Sequence, residues 1–534
     1  MSWILITALA VSGSAANPLD QMFSAFNKAD TPGCAVDVRR GRDTLAQRNF
    51  GMANLETNTP ITADTVFEAG SVSKQFIGAG IALLATRHRL SLDDKLRRWL
   101  PELPALYEPV TIRMALNHTS GIRNWDNLAE LTGWNADVGQ YTQEWVLHAV
   151  ARQSRLNFTP GTEYLYSNSN YALAALVIAR ASGQSLNDFS RKELFAPFGM
   201  THSEWRDDFR RIIKGRAQAY LPGDREGWRL DMPFSDVVGP GGLMTTVGDL
   251  QHWNEALANP RDQDREWVAM IAEPGKLTNG TAIRYGLGLE LDKIAGADAL
   301  SHAGATASYR AWLGRFPQTG LSVALLCNSG SINTEDLGLE LAALYQPKPS
   351  LAVETLIPNA VKIAGIAGIY RNMANDSAVE VEVENADIRF NGGARFIAIT
   401  SRQLATPDGK RSAVLIRSFS NEVEEIELTR VANAPVRLVR TEAWKPDAKA
   451  LKSFEGRYES ADIVGEQTIK FENGALFWLN PKSSAQPLRP IYRDAFEAPD
   501  SSWTLRFLRG ADRRVIGFDV SITRARQIRF GKTQ

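Results

Sequence analysis

The sequence predicts a mixed α/β (α+β) domain, one antiparallel sheet flanked by helices, followed by two small antiparallel β-barrels. Three observations predict this. Between about residues 30 and 345, β-branched strand-like segments stand at both ends of a long helical middle. The segment Gln346-Pro347-Lys348-Pro349-Ser350 then breaks the chain, because its prolines cannot continue a helix. Beyond it, alternation switches to period two and the pattern repeats.

Each element follows in order. Cys34 to Arg39 and Thr44 to Phe50 form a strand pair turned by Gly41-Arg42-Asp43. Helical patterns come next, at Lys74 to Ala85, Ile112 to Leu116, Glu144 to Ala151, Tyr171 to Ala181 and Leu186 to Leu194. Strands return at Ala311 to Phe316 and Leu321 to Cys327, before a closing helix at Thr334 to Leu344. Strands at both ends of this region predict one sheet in which the two ends meet. In the tail, Val379 to Glu384 alternates Val and Glu, which puts the valines on one face of a half-buried strand. Asn391-Gly392, Asp408-Gly409 and Asn473-Gly474 supply hairpin turns. Gly368-Ile369-Tyr370 is echoed by Gly456-Arg457-Tyr458, each opening about 90 residues, with a joint at Trp444-Lys445-Pro446-Asp447. Two barrels fit this spacing, and one large barrel of about 185 residues is the alternative. The expected domains are 1–16 as a leader, 17–345, 350–444 and 445–534.

Composition narrows the function classes. Hydrophobic residues make up 44% and charged residues 22% of 534, the profile of a folded globular chain. Sixty basic residues balance sixty acidic ones, so there is no overall positive field to hold nucleic acid. The six histidines show no H-E-x-x-H spacing, and no G-x-x-x-x-G-K-[ST] loop occurs, which argues against a metalloenzyme or a nucleotide enzyme; no metal or cofactor is expected. Cys34 and Cys327 stand far apart in strand-like contexts and read as two buried free thiols, with one long-range disulfide as the alternative. The apolar run Trp3 to Val11 is too short to span a bilayer, and Ser14-Ala15-Ala16 after it resembles a leader cleavage site. A periplasmic or secreted protein is expected, without an integral membrane span, with a homodimer as one arrangement; a buried first helix in a cytoplasmic protein is the alternative.

Three short motifs carry chemistry. Ser71-Val72-Ser73-Lys74 precedes an apolar helical run, so Ser71 and Lys74 share one helix face and the amine reaches the hydroxyl. Tyr166-Ser167-Asn168 precedes the next long helix; a tyrosine becomes a base only where a nearby ammonium favours its phenolate, a charge that Lys74 would supply. Tyr370-Arg371-Asn372 matches the same pattern in the β tail and reads as coincidence. His302-Ala303-Gly304 precedes a late strand, where Gly304 would let substrate approach an edge and the Ala305 amide would help bind an oxyanion.

S-x-x-K, Y-x-N and H-x-G in that order, 95 and 136 residues apart, resemble the serine β-lactamase and penicillin-binding superfamily, in particular the class C β-lactamase-like branch. Asn117-His118-Thr119-Ser120-Gly121-Ile122, Phe158-Thr159-Pro160-Gly161 and Gly239-Pro240-Gly241-Gly242-Leu243-Met244 match it as well. The resemblance covers about residues 20 to 345. It implies Ser71 as acylated nucleophile, Lys74 as its proton partner, Tyr166 as base for acylation and deacylation, Asn168 as a substrate amide contact, and Ser71 and Ala305 amides as an oxyanion hole. Family β-lactamases carry K-T-G where this chain has His302, a poorer anchor for a substrate carboxylate, which argues against efficient β-lactam hydrolysis. Two lipocalin-like barrels after such a domain are similar to the D-aminopeptidases, which implies hydrolysis of D-amino-acid amides, peptides or esters. Carboxylesterase, D-alanyl-D-alanine carboxypeptidase or β-lactamase activity are alternatives, as is a non-catalytic receptor for wall peptides or β-lactams. The same resemblance implies that a loop of the last barrel enters the cleft; Arg493 to Asp500 fits, with Asp494 facing a substrate ammonium.

Overall fold

The structure is a computed structural model that describes residues 17–133, 140–223, 227–294, 296–346, 365–384, 387–407, 411–417, 422–430, 435–480, 484–499 and 502–533. The expected leader, the prolines after Gln346 and the Asp408-Gly409 turn lie outside the described residues. Strands β1 (Cys34–Arg40), β2 (Asp43–Phe50), β3 (Glu290–Ile294), β4 (Ala297–Thr306), β5 (Tyr309–Phe316) and β6 (Leu321–Cys327) form one sheet in the order β3-β4-β5-β6-β1-β2. Every pairing is antiparallel, and the two sequence ends of the domain meet where β6 joins β1.

That junction corrects the reading of the cysteines. Cys34 lies directly opposite Cys327 in the register, both fully buried, and the two form a disulfide with Cα atoms 4.1 Å apart. Each thiol was read from its own strand; pairing the strands in this register forces the sulfurs together.

The helical layer packs on one face of the sheet. Helix α1 (Lys74–Thr86) is buried from Lys74 to Leu84, as an all-round apolar run requires. Around it lie α2 (Trp125–Leu131), α3 (Asn168–Ser182) and α4 (Val247–Ala258), the last capped by the Thr246 hydroxyl, which accepts from the Asp249 amide. Helix α5 (Thr334–Tyr345), with Asn333 as its cap, packs on the opposite face against Trp312 and Leu325.

The tail is two closed eight-stranded antiparallel barrels, running from Gly368–Asn372 to Val436–Thr441 and from Gly456–Glu459 to Ala525–Lys532. The sequence echo marks equivalent places. Tyr370 and Tyr458 are both fully buried, and each hydroxyl donates to the carbonyl four residues earlier, Ile366 and Phe454. Asn391-Gly392 and Asn473-Gly474 adopt the left-handed φ values that their hairpins need. The Val/Glu alternation holds only in part: Val381 is buried, while Val383 is 44% exposed, near the strand's end and beyond the reach of the core.

The second barrel is seated on the α+β domain through α2. Leu128 and Leu131 enter its apolar core, and beside them Arg123 is buried against Asp462 at 2.7 Å. Trp444, read as part of a joint, packs edge-on against Phe454 and Phe496 of this barrel. Among the described residues no helix is long and apolar enough to cross a membrane.

Candidate active site

Ser71 stands in a short 3-10 turn, Gly70–Ser73, that runs directly into α1. The turn lies against β4 with no room for side chains: Gly70 has φ +51°, and a Cβ there would come 2.6 Å from the Ala305 amide nitrogen. A Cβ on Gly304 would come 2.1 Å from the Ala69 carbonyl oxygen. Gly304 therefore admits the nucleophile's own turn, and it also lines the cleft. The close packing puts Ser71 and Ala305 on the same cleft wall. His302 to Thr306 do run along a free edge, since β3 pairs with β4 only as far as Ser301.

Lys74 is fully buried, with Nζ 2.9 Å from Ser71 Oγ and 2.8 Å from the Pro240 carbonyl oxygen. Burial pulls its pKa well below that of an ordinary lysine, opposed by Asp126 and Glu290 and reinforced by Arg524. A neutral amine has a lone pair to accept the serine proton. The loop that offers Pro240 is itself pinned, because Glu68, paired with buried Arg206 at 3.1 Å, accepts from the Gly242 amide.

Tyr166 hydrogen-bonds to Ser71, and its ring centroid lies 4.9 Å from Lys74 Nζ. Burial pushes its phenol well above the usual value, with the Ser71 bond pulling the other way. Burial disfavours charge on both groups, which works against the expected phenolate. His118 supports the tyrosine from behind, ring centroids 4.3 Å apart. Its Nδ1 accepts from the Ser167 amide, and burial holds it neutral.

His302 is brought to the site, but not as a substrate anchor. Its Nδ1 donates to the Ala303 carbonyl at 2.6 Å and its Nε2 accepts from the Tyr285 hydroxyl at 2.9 Å, so both ring nitrogens are engaged. Burial, then the nearby Lys74 amine, pull its pKa down to about 3. Asn168 begins α3; its Nδ2 donates to Asp126 at 2.6 Å, while its buried Oδ1 has no partner among the described residues. Burial raises the Asp126 carboxyl, and bonds from Asn168 and Asn124 oppose the shift.

Asp494 is not brought to the site. It lies in a tight turn at φ +61° and is held by the Arg509 guanidinium at 2.7 Å. Half of the eight-residue stretch read as a loop is strand, Ala495–Ala498. A different hairpin of that barrel reaches the cleft, the one between Val515–Ile522 and Ala525–Lys532. Its Arg524 carbonyl accepts from the Asn124 amide and from Asn157 Nδ2, both at 3.0 Å. Neighbouring Arg526 pairs with Glu163 at 2.9 Å, and Arg123 donates to the Arg526 carbonyl at 2.9 Å.

The cleft has two chambers that share Ser71, Asp126, Asn168 and Ala305. The larger, about 730 Å³, adds Tyr166, Glu290, His302, Arg310 and Arg524. The smaller, about 280 Å³, is lined by Trp125, Met232, Phe234 and Val237 and suits an apolar side chain. Glu290 was not foreseen; burial, with repulsion from Glu335 and Asp292, pushes its carboxyl up to about 7. A larger cavity, about 880 Å³, lies between the barrels around Trp444 and Pro490, but no paired nucleophile and base line it.

A serine set against a buried lysine, where a helical layer meets an antiparallel sheet, defines the class of active-serine hydrolases with a penicillin-binding-type fold. The chain belongs to the Beta-lactamase family, whose model matches residues 19–346. It is 25% identical over 521 residues to a D-aminopeptidase of Brucella anthropi, a match covering 94% of this chain and 96% of the relative. A penicillin-binding protein of Bacillus subtilis (strain 168) is 28% identical over 352 residues, 61% of this chain and 74% of the relative. The structure of the octameric penicillin-binding protein homologue from Pyrococcus abyssi has the same fold, with a TM-score of 0.54 and 21% identity over 77% of this chain and 96% of that one.

Proposed function

We propose that the protein hydrolyses D-amino-acid amides, short peptides or esters through an acyl-enzyme on Ser71. The observation that carries the catalytic reading is the buried Lys74 amine 2.9 Å from Ser71 Oγ. Match to a D-aminopeptidase along 94% of the chain, both barrels included, supports the substrate class.

Lys74 takes the proton from Ser71 as Oγ attacks the substrate carbonyl, and the Ser71 and Ala305 amides stabilise the oxyanion. When the tetrahedral intermediate collapses, the carbon–nitrogen bond breaks and Tyr166 gives its proton to the leaving nitrogen. The Lys74 ammonium then returns a proton to Tyr166, and a water attacks the ester by the same path in reverse. Asp126 and the unpartnered Asn168 Oδ1 suit a substrate ammonium, the role expected of Asp494. His302 holds the wall beside Tyr166 by way of Tyr285.

Chromogenic esters, D- and L-amino-acid nitroanilides and a chromogenic cephalosporin, assayed side by side, test this reading. D-amino-acid nitroanilides turned over faster than their L counterparts and the cephalosporin support it; cleavage of esters alone would replace it with a carboxylesterase. We also propose export to the periplasm or beyond. The Cys34–Cys327 disulfide supports an oxidising compartment, and a leader missing from the mature protein, read by N-terminal sequencing of the protein from its native cell, tests it.

A further inference from the structure

The hairpin that reaches the cleft brings a cation into a site that otherwise holds none available. The Lys74 amine is held toward its neutral form, and His302 is neutral with both ring nitrogens engaged. Arg310, on the same wall, donates to the carbonyls of Ala307, Tyr309 and Gly330. Arg524 differs. Its backbone is fixed by two hydrogen bonds from Asn124 and Asn157, and its guanidinium carbon lies 5.7 Å from the Tyr166 ring centroid. Among the described residues its guanidinium makes no hydrogen bond or ion pair with a side chain. Asp126 and Glu130 feel its charge but make no hydrogen bond or ion pair with it among the described residues, and Glu290 holds its proton up to about pH 7. Glu335, in the first turn of α5, lines the same chamber and makes no ion pair with Arg524 among the described residues.

The chamber is assigned by the chemistry. Tyr166 lines the larger chamber and not the smaller one, so the leaving nitrogen that it protonates belongs in the larger chamber with Arg524. In a peptide, the carboxylate of the leaving amino acid sits two bonds from that nitrogen. A guanidinium recognises a carboxylate through paired N–H donors. We propose that Arg524 makes the leaving-group chamber a carboxylate-binding subsite, so that the preferred substrate is a short peptide whose leaving residue bears a free carboxylate. This rests on the serine-hydrolase reading above and narrows its substrate class.

The test is binding by calorimetry to the full-length Ser71→Ala protein, which cannot cleave, using D-phenylalanyl-D-alanine and its C-terminal amide. The peptide acid should bind about tenfold more tightly than the amide, the scale of one charge-assisted hydrogen-bonded pair. Adding Arg524→Gln should bring the ratio to near one, and Arg524→Lys should restore part of it. Equal affinities with Arg524 present, a preference that survives Arg524→Gln, or no binding of either peptide would overturn the proposal. D-amino-acid nitroanilides carry no leaving-group carboxylate, so their turnover by the unaltered enzyme tests the hydrolase reading separately from Arg524.

Discussion

The backbone amide of Asn124, one residue before α2, donates to the carbonyl of Arg524, 400 residues later, at 3.0 Å. Through this bond the second barrel forms part of the cleft wall. The same short segment supplies Arg123 to the buried pair with Asp462, Asp126 to Asn168, and Leu128 to the barrel core. Docking of the barrel and shaping of the site are therefore one event.

Arg123→Met breaks that docking by leaving Asp462 buried without its partner. It should cost about 3–5 kcal/mol in chemical denaturation, the usual penalty for an orphaned buried charge. Turnover should fall with it, since the Arg524 hairpin loses the donors to its Arg526 and Gln527 carbonyls.

The acid limb of kcat/KM reports protonation of Lys74, whose pKa burial has pulled well below 10.5. Activity should fall as pH drops through that depressed value. Arg524 lowers the lysine pKa and Asp126 raises it. Arg524→Gln should therefore move the limb to higher pH, and Asp126→Asn should move it to lower pH. Profiles that move together would separate the limb from Lys74.

Glu290 gives a stability signature of the opposite sign to an ordinary ion-paired acid. Its folded pKa of about 7 lies above the ordinary glutamate value of 4.5, so the folded state holds a proton that the unfolded state releases. Its contribution is full below about 4.5 and is lost as pH rises toward 7. Unfolding free energies measured across that window should fall more steeply for the wild-type protein than for Glu290→Gln.

His302→Lys tests whether this position lacks only a charge. A lysine there would bury an ammonium beside the Lys74 amine and remove both imidazole bonds. Turnover should drop about tenfold or more for acids and amides alike, by steady-state kinetics. A selective gain for substrates with a free carboxylate would show that His302 faces the substrate after all.

What was legible from sequence was mostly local or ordered along the chain. Ser71 and Lys74 lie three residues apart at a helix start, so their meeting needs no tertiary information. Tyr166, Asn168 and His302 were found through the order of three motifs, but their protonation was not, because burial sets it. Asp126, Glu290 and Arg524 carry no local motif; each matters only through contacts that long-range docking creates. Asp494 was misassigned because a barrel repeats hairpins of similar composition, and nothing along the chain tells which hairpin tip faces the neighbouring domain. The disulfide stood only as the alternative to two free thiols for a related reason: the meeting of the end strands was foreseen, but their register was not.

Activation of Ser71 by Lys74 is tested most directly by the rate and position of acylation. The protein is treated with a fluorophosphonate, followed over time by intact mass, and the adduct is located by peptide mapping. One adduct on Ser71, absent in Ser71→Ala and formed about 100-fold or more slowly in Lys74→Ala, is the predicted result. An adduct on Ser73 or Ser167, or a Lys74→Ala protein that acylates at the wild-type rate, would contradict it.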